Sequence, residues 1–295
     1  MEQETALVTG ATGHALWATA KELRRAGYTT RTLARSQEQF PALAAEGHDP
    51  VLGDVASPAT LAAAVKGSDV VVHGAVYSGQ DWDTAVAVNV DGTRALAETA
   101  LEAGVRRFVH ISTISVHGDP QPDGLTEDSP LAPDCKEIPY IGSKARGELA
   151  LAEVRSKGLE TVVIRPGAIC SAERSQWGNE MVERVRARGW PASFHPDDVI
   201  PWVHTDNLAA MSVLAAQHPD AAGEIFLGVD ENIENHDYLV RIADALGVEV
   251  VTPDRAPERS ICRVGKIHDR LGYHPLRSFR ETMDQLVELA RKEGG

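Results

Sequence analysis

Cysteine is scarce in this chain, and the three that occur, Cys135, Cys170 and Cys262, are odd in number, widely spaced and without a Cys-x-x-Cys pairing. They support neither a disulfide framework nor a cysteine zinc site, and a reducing compartment fits best. Positive charge is also short: 29 Lys and Arg stand against 43 Asp and Glu, for a formal net charge of −14. That excess repels phosphate backbones and anionic membrane surfaces, which argues against nucleic acid and membrane as partners. Any anionic ligand has to be captured by local geometry. No apolar run approaches the roughly 20 residues needed to cross a bilayer. Met1-Glu2-Gln3-Glu4 has no basic and apolar leader pattern, so the expected location is cytoplasmic. Internal repeats and low-complexity tracts are absent as well. What is present, 43% hydrophobic and 24% charged residues over 295, is enough to bury one large core or a core plus a small lobe.

The first half alternates short apolar runs with amphipathic stretches. Ala6-Leu7-Val8 reads as a strand, 15–26 as a helix closed by Gly27, and 29–33 as the next strand. A helix at 58–66, a buried strand at 69–73, a long helix at about 83–103 and a strand at 107–112 continue the rhythm. A Pro- and Asp-rich loop at 118–139 leads to a helix from Tyr140 to about Ser156 and a sixth strand at 161–165. Strands alternating with helices of this length imply right-handed crossovers and a doubly wound parallel α/β sheet of the Rossmann type. After Pro166 the rhythm breaks down, and a small, mainly C-terminal substrate lobe is expected. The division is 1–166 for the nucleotide-binding domain, with 199–217 returning to it as strand and helix, and 167–198 with 218–295 for the lobe.

Two short motifs carry chemistry. Thr9-Gly10-Ala11-Thr12-Gly13 sits between the first strand and helix, where glycines let the backbone approach a pyrophosphate at a helix N-terminus. Thr12 stands where the three-glycine fingerprint has its second Gly, and a plain structural turn is the alternative. Tyr140 and Lys144, four residues apart, share a helix face. With an effective dielectric of about 20, an ammonium roughly 5 Å away favours the phenolate by about 3 kcal/mol and brings Tyr140 toward use as an acid or base near neutrality. Tyr-x-x-x-Lys also arises by chance on surface helices.

The glycine turn, Asp54-Val55, Val88-Asn89-Val90-Asp91-Gly92-Thr93, Ser112 to Gly118, Tyr140-Ile141-Gly142-Ser143-Lys144 and Arg165-Pro166-Gly167 occur in order. Together with Val203 to Ala209 and Leu271 to Pro275 they resemble the extended short-chain dehydrogenase/reductases, the NAD-dependent epimerase/dehydratase family, over nearly the whole chain. The resemblance implies a Thr113-Tyr140-Lys144 triad. Thr113 would polarise a carbonyl, Tyr140 would move the proton, and Lys144 would hold the nicotinamide ribose. It implies cofactor contacts from Gly10, Thr12, Gly13, His14 and Ala15, from Asp54 and Val55 beside the adenine, from Gly74, Ala75, Val76 and Asn89, and from Ile111, Tyr140, Lys144, Pro166 and Ile169. It implies a homodimer through the helices from Asp83 and Tyr140, and no metal. The acidic residue that ends the second strand in NAD-preferring members is Ala34 here, followed by Arg35, so NADP(H) is expected in preference to NAD(H). A solvent-exposed Arg35 is the bland alternative.

Two positions depart from the family. Leu16 replaces the third small residue of the turn, and either displaces the helix or is absorbed by small neighbours. His117 replaces a usual Tyr, and either touches substrate or packs. The expected reaction is NADPH-dependent reduction of a small ketone or aldehyde. Nucleotide-sugar epimerisation or dehydration is the alternative, and a non-catalytic NADP(H) sensor resembling the NmrA-like regulators is a third that the complete triad disfavours. Trp82, Trp177, Trp190 and Phe194 could wall the substrate pocket or lie in the core. His195, His204, Asp197, Asp198 and Asp206 lack metal-site spacing.

Overall fold

The computed structural model describes residues 3–292. The chain runs β1 (Thr5–Thr9), α1 (His14–Arg25), β2 (Thr29–Ala34), α2 (Phe40–Ala45), β3 (Asp49–Leu52), α3 (Leu61–Val65), β4 (Val70–His73), α4 (Trp82–Val86), α5 (Gly92–Glu102), β5 (Arg107–Ile111) and α6 (Pro139–Arg155). It continues β6 (Thr161–Pro166), β7 (Ala168–Cys170), α7 (Asn179–Arg188), β8 (Val199–His204), α8 (Thr205–Gln217), β9 (Ile225–Gly228), β10 (Glu231–Glu234), α9 (Arg241–Leu246), α10 (Lys266–Leu271) and α11 (Phe279–Lys292).

Seven strands form one parallel sheet in the order β3-β2-β1-β4-β5-β6-β9. Parallel strands covered on both faces need apolar side chains in both directions, and Val70-Val71-Val72 shows it. Val70 and Val72 join the cluster under α1, α8 and α10, while Val71 joins the cluster under α3, α5 and α6. The doubly wound Rossmann arrangement expected from the strand–helix rhythm is the one observed. Its reversal of winding between β1 and β4 opens a crevice at the carboxyl ends of those strands.

Three elements differ from the expectation. The long helix at 83–103 is interrupted by a π-helical turn at Ala87–Asp91 between α4 and α5, a wider turn that swings Asn89 into the interior. The return at 202–207 comes back by its helix alone. β8 joins a separate sheet, β10-β8-β7, whereas α8 packs on α1. The reason lies in the side chains, since Val203 enters the large core while Trp202 and Ile200 pack with Met181, Tyr238, Phe279 and Met283 in the core of the lobe. β9, in a stretch expected mainly in the lobe, closes the large sheet against β6. The stretch at 167–201, unassigned by its mixed composition, contains β7 and α7.

Beneath the carboxyl end of the sheet, Glu148 of α6 and Arg165 of β6 form a buried pair. Arg165 Nη2 lies 2.6 Å from Glu148 Oε2, and Ser112 Oγ donates to Oε1 at 2.5 Å. Arg165 also donates to the Glu127 carbonyl at 2.8 Å and to His117 Nε2 at 3.2 Å, so the loop before α6 is tied to the sheet through one guanidinium. His117 in turn donates from Nδ1 to the Pro130 carbonyl at 2.9 Å, so both of its ring nitrogens are engaged in packing that loop on the sheet.

Candidate active site

A cleft of about 800 Å³ lies between the carboxyl ends of the large sheet and the lobe. Its first wall is the β1–α1 turn. Gly10 has φ +81°, and a Cβ there would fall 2.8 Å from the Gly74 carbonyl oxygen, so only glycine lets the turn press against the end of β4. Gly13 caps α1 with no side-chain acceptor, and no acidic residue stands in the first turn. The helix therefore presents uncompensated N–H groups and its positive end to the cleft, lined there by His14 and Ala15. That arrangement fits a dinucleotide's pyrophosphate. The Leu16 side chain is buried against Gly74, whose missing Cβ would overlap Leu16 Cδ2, so a glycine just after β4 supplies the room lost on the helix.

Behind this wall a chain of buried hydrogen bonds can be followed atom by atom. Thr9 Oγ1 accepts from the backbone N–H of Gly74 and Ala75, at 3.2 and 3.1 Å, which leaves its proton for His73 Nδ1 at 2.8 Å. His73 therefore carries its hydrogen on Nε2 and donates it to Thr93 Oγ1 at 3.0 Å. Thr93 donates onward to the Asn89 carbonyl at 2.8 Å. The Asn89 amide closes a two-way pair with the backbone of Tyr77 and donates to Ser143 Oγ at 2.9 Å. The glycine turn, the loop after β4 and the catalytic-motif helix α6 are thus braced together.

The triad residues all line the cleft. Thr113 lies just after β5 and caps a short helical turn, its hydroxyl accepting from Ser115 N–H at 3.2 Å. Burial pushes the Tyr140 phenol above its ordinary value, and the hydrogen bond from Thr113 opposes that. Lys144 is buried, with Nζ 3.0 Å from the Ile111 carbonyl and 3.2 Å from His110 Nε2. Burial lowers its pKa to about 8, against the favourable charge of Glu148. The expectation that Lys144 lowers Tyr140 is corrected here: desolvation raises the phenol, the opposing influence comes from Thr113, and the ammonium is held against β5.

Other cofactor positions divide by place. Gly10, Gly13, His14, Ala15, Gly74, Val76, Ile111, Pro166 and Ile169 line the cleft, whereas Thr12, Arg35, Asp54, Val55, Ala75 and Asn89 do not. Asn89 acts from behind, as described. Val55 is buried beneath Gly92. Arg35 is exposed beyond buried Ala34, its backbone N–H held by Gln39 at 2.9 Å and its guanidinium without a partner among the described residues.

At the far end, Trp177 and Phe194 meet edge to face at 5.9 Å and form an apolar wall with Val199, Ile200 and Pro201. Trp190 is core, and Trp82 lies under the Arg146 guanidinium, 4.9 Å from its centroid, away from the cleft. The sequence reading missed Arg255 and Glu258 here, and weighed Asp198 only as part of a metal cluster. Arg255 donates through both terminal nitrogens to Asp198, at 2.9 and 2.6 Å, with Glu258 3.6 Å away. No spacing signal links residues 57 positions apart. His195 and His204 serve turns instead, each accepting a backbone N–H on Nδ1 at 3.0 Å, from Asp197 and Asp206.

The Leu16–Gly74 contact makes a prediction. Gly74→Ala should destabilise the fold by about 1–3 kcal/mol in urea unfolding, and cost much less in a Leu16→Ala background. An equal cost in both backgrounds would show that Leu16 is not what the glycine accommodates.

Comparison with known proteins identifies the family and the fold. The sequence model of the NAD dependent epimerase/dehydratase family matches residues 6–227. Among curated relatives, a 4-hydroxy-2-methyl-3-oxo-4-farnesyl-3,4-dihydroquinoline-1-oxide ketoreductase of Stigmatella aurantiaca is 26% identical, over 82% of this chain and 73% of that one. A dTDP-glucose 4,6-dehydratase of Streptomyces niveus is 38% identical, over 82% and 75%. A short-chain dehydrogenase/reductase superfamily protein of Agrobacterium tumefaciens, solved with bound NAD, superposes with a TM-score of 0.81 at 26% identity, covering 98% of this chain and 97% of that one.

Proposed function

The chain belongs to the NAD-dependent epimerase/dehydratase family and is an NAD(P)-dependent enzyme, and from that premise we propose that it reduces a ketone or aldehyde group on a small organic substrate at the expense of NADPH. NADPH, when bound, would supply a hydride to the carbonyl carbon and be left as NADP+. The Thr113 hydroxyl donates to the substrate carbonyl oxygen, and the Tyr140 phenol, whose hold on its proton is strengthened by desolvation, delivers that proton to the new alkoxide. Lys144 would hold the nicotinamide ribose through its ammonium. Trp177 and Phe194 exclude water from the reacting end.

The observation that carries reduction over nucleotide-sugar chemistry is the charge at the far end of the cleft. A nucleotide diphosphate brings charge that needs uncommitted cations. Among the described residues lining the cleft, Lys144 belongs to the triad, and Arg255 is spent on Asp198 with Glu258 beside it. Asp119 adds a further carboxylate to the lining. A neutral, partly apolar carbonyl compound suits that surface better. The dehydratase reading keeps the support of the 38% identical relative, and it would use the same triad with turnover but no net redox change.

NADP(H) preference rests on Arg35, which can pair with a 2′-phosphate where Ala34 leaves no acid to bind a 2′-hydroxyl. A homodimer through the outer faces of α5 and α6 is part of the same reading. Leu149 stands 46% exposed on α6, and light scattering should give twice the monomer mass of 31.7 kDa. A monomeric mass would remove the dimer from the account.

NADPH absorbance followed against a carbonyl panel should fall with the wild-type protein. Tyr140→Phe should lower kcat by about 10²–10⁴ while still binding NADPH. Near-normal turnover in that variant would end the proton-donor assignment. Arg35→Ala should weaken NADPH far more than NADH, and equal losses would refute the 2′-phosphate contact.

A further inference from the structure

His110 sits on β5 with no exposure to solvent, and its Nε2 lies 3.2 Å from Lys144 Nζ. An ammonium has only donors, so that ring nitrogen is the acceptor and the hydrogen of the neutral ring is on Nδ1. There it has no partner among the described residues. His73, 5.2 Å away between ring centroids, cannot serve, because both of its nitrogens are committed to Thr9 and Thr93. A buried N–H left unmade is costly, and a leucine or phenylalanine would remove the cost. Keeping histidine has a physical use only through its other nitrogen.

Building on the reductase reading of Lys144, we propose that His110 is a positioning residue for that lysine. Together with the Ile111 carbonyl it engages two of the three ammonium N–H groups, and the third is left for the cleft and the ribose. An apolar residue at 110 would leave the ammonium one acceptor, free to rotate about its stem and poorer at keeping its proton. The charged and titratable groups that act on this pair are Glu148 from α6, His73 from β4 and Arg165 from β6. Glu148 favours the ammonium, while burial brings it near deprotonation at a pH of about 8. His110 itself stays neutral, held well below its ordinary value by burial and by Lys144, as an acceptor must.

The test is NADPH affinity against pH, read by cofactor fluorescence between about pH 6.5 and 9.5, with thermal unfolding measured alongside. Wild-type affinity should weaken as pH rises through the Lys144 value of about 8, because a neutral amine holds the ribose less well. His110→Leu should bind almost normally at about pH 6.5 and about tenfold more weakly at about pH 9, the break having moved about one pH unit down. Its unfolding temperature should equal or exceed that of wild type. His110→Gln, which retains an acceptor, should keep the wild-type break. An unmoved break in His110→Leu, or a pH-independent loss that accompanies a lower unfolding temperature, would overturn the proposal. Lys144→Met separates the two levels: if it binds NADPH as wild type does at every pH, the reading of Lys144 itself fails, and the role of His110 with it.

Discussion

The charge of a lysine only 3% exposed to solvent has to be held by something other than water, and the way Lys144 is held orders the carboxyl end of this sheet. Its partners are a strand carbonyl, a neutral imidazole and, one helical turn along α6, the carboxylate of Glu148. Glu148 is itself neutralised by Arg165, which reaches on to the loop before α6. A single run of charge, from lysine to glutamate to arginine, therefore couples the reacting helix to β5, β6 and the loop that bounds the substrate space. The acidic balance of the whole chain makes such local capture of charge necessary, because the global field works against any anionic ligand.

A second, uncharged brace meets it from the cofactor side. Thr9, His73, Thr93 and Asn89 pass hydrogen bonds from the glycine turn to α6 without an ambiguous tautomer along the way. The turn is shaped by exclusion at both ends, Gly10 against the Gly74 carbonyl and Gly74 against Leu16. These contacts leave little slack between the start of α1 and the Tyr140–Lys144 face. A dinucleotide spanning them would meet a prearranged site, which is where enzymes obtain much of their electrostatic stabilisation.

Much of this was legible in the sequence because it depends on local pattern. Strand–helix alternation gave the parallel sheet, and short motifs placed Thr113, Tyr140, Lys144 and the glycine turn on one cleft. What stayed hidden depends on partners distant in the chain. Gly74 as the answer to Leu16, 58 positions earlier, leaves no periodic trace, nor does Arg255 spent on Asp198. The π-helical turn at Ala87–Asp91 reads as ordinary helix because its composition is helical. The pKa of Tyr140 was misjudged for a similar reason: spacing shows that an ammonium is near, but not that it is turned toward β5 nor how dry the phenol is. His110 reads as one more buried position in β5, and only the geometry sets it apart.

The central claim is that the Lys144 ammonium, fixed by β5, is the point at which the nicotinamide ribose is held beside Tyr140 and Thr113. A crystal structure of the protein with NADPH tests it most directly. The account predicts the ribose hydroxyls within hydrogen-bonding distance of Lys144 Nζ, the His110 and Ile111 contacts retained, and the pyrophosphate at the start of α1. A dinucleotide bound elsewhere, or a Lys144 side chain that leaves β5 to reach it, would contradict the account.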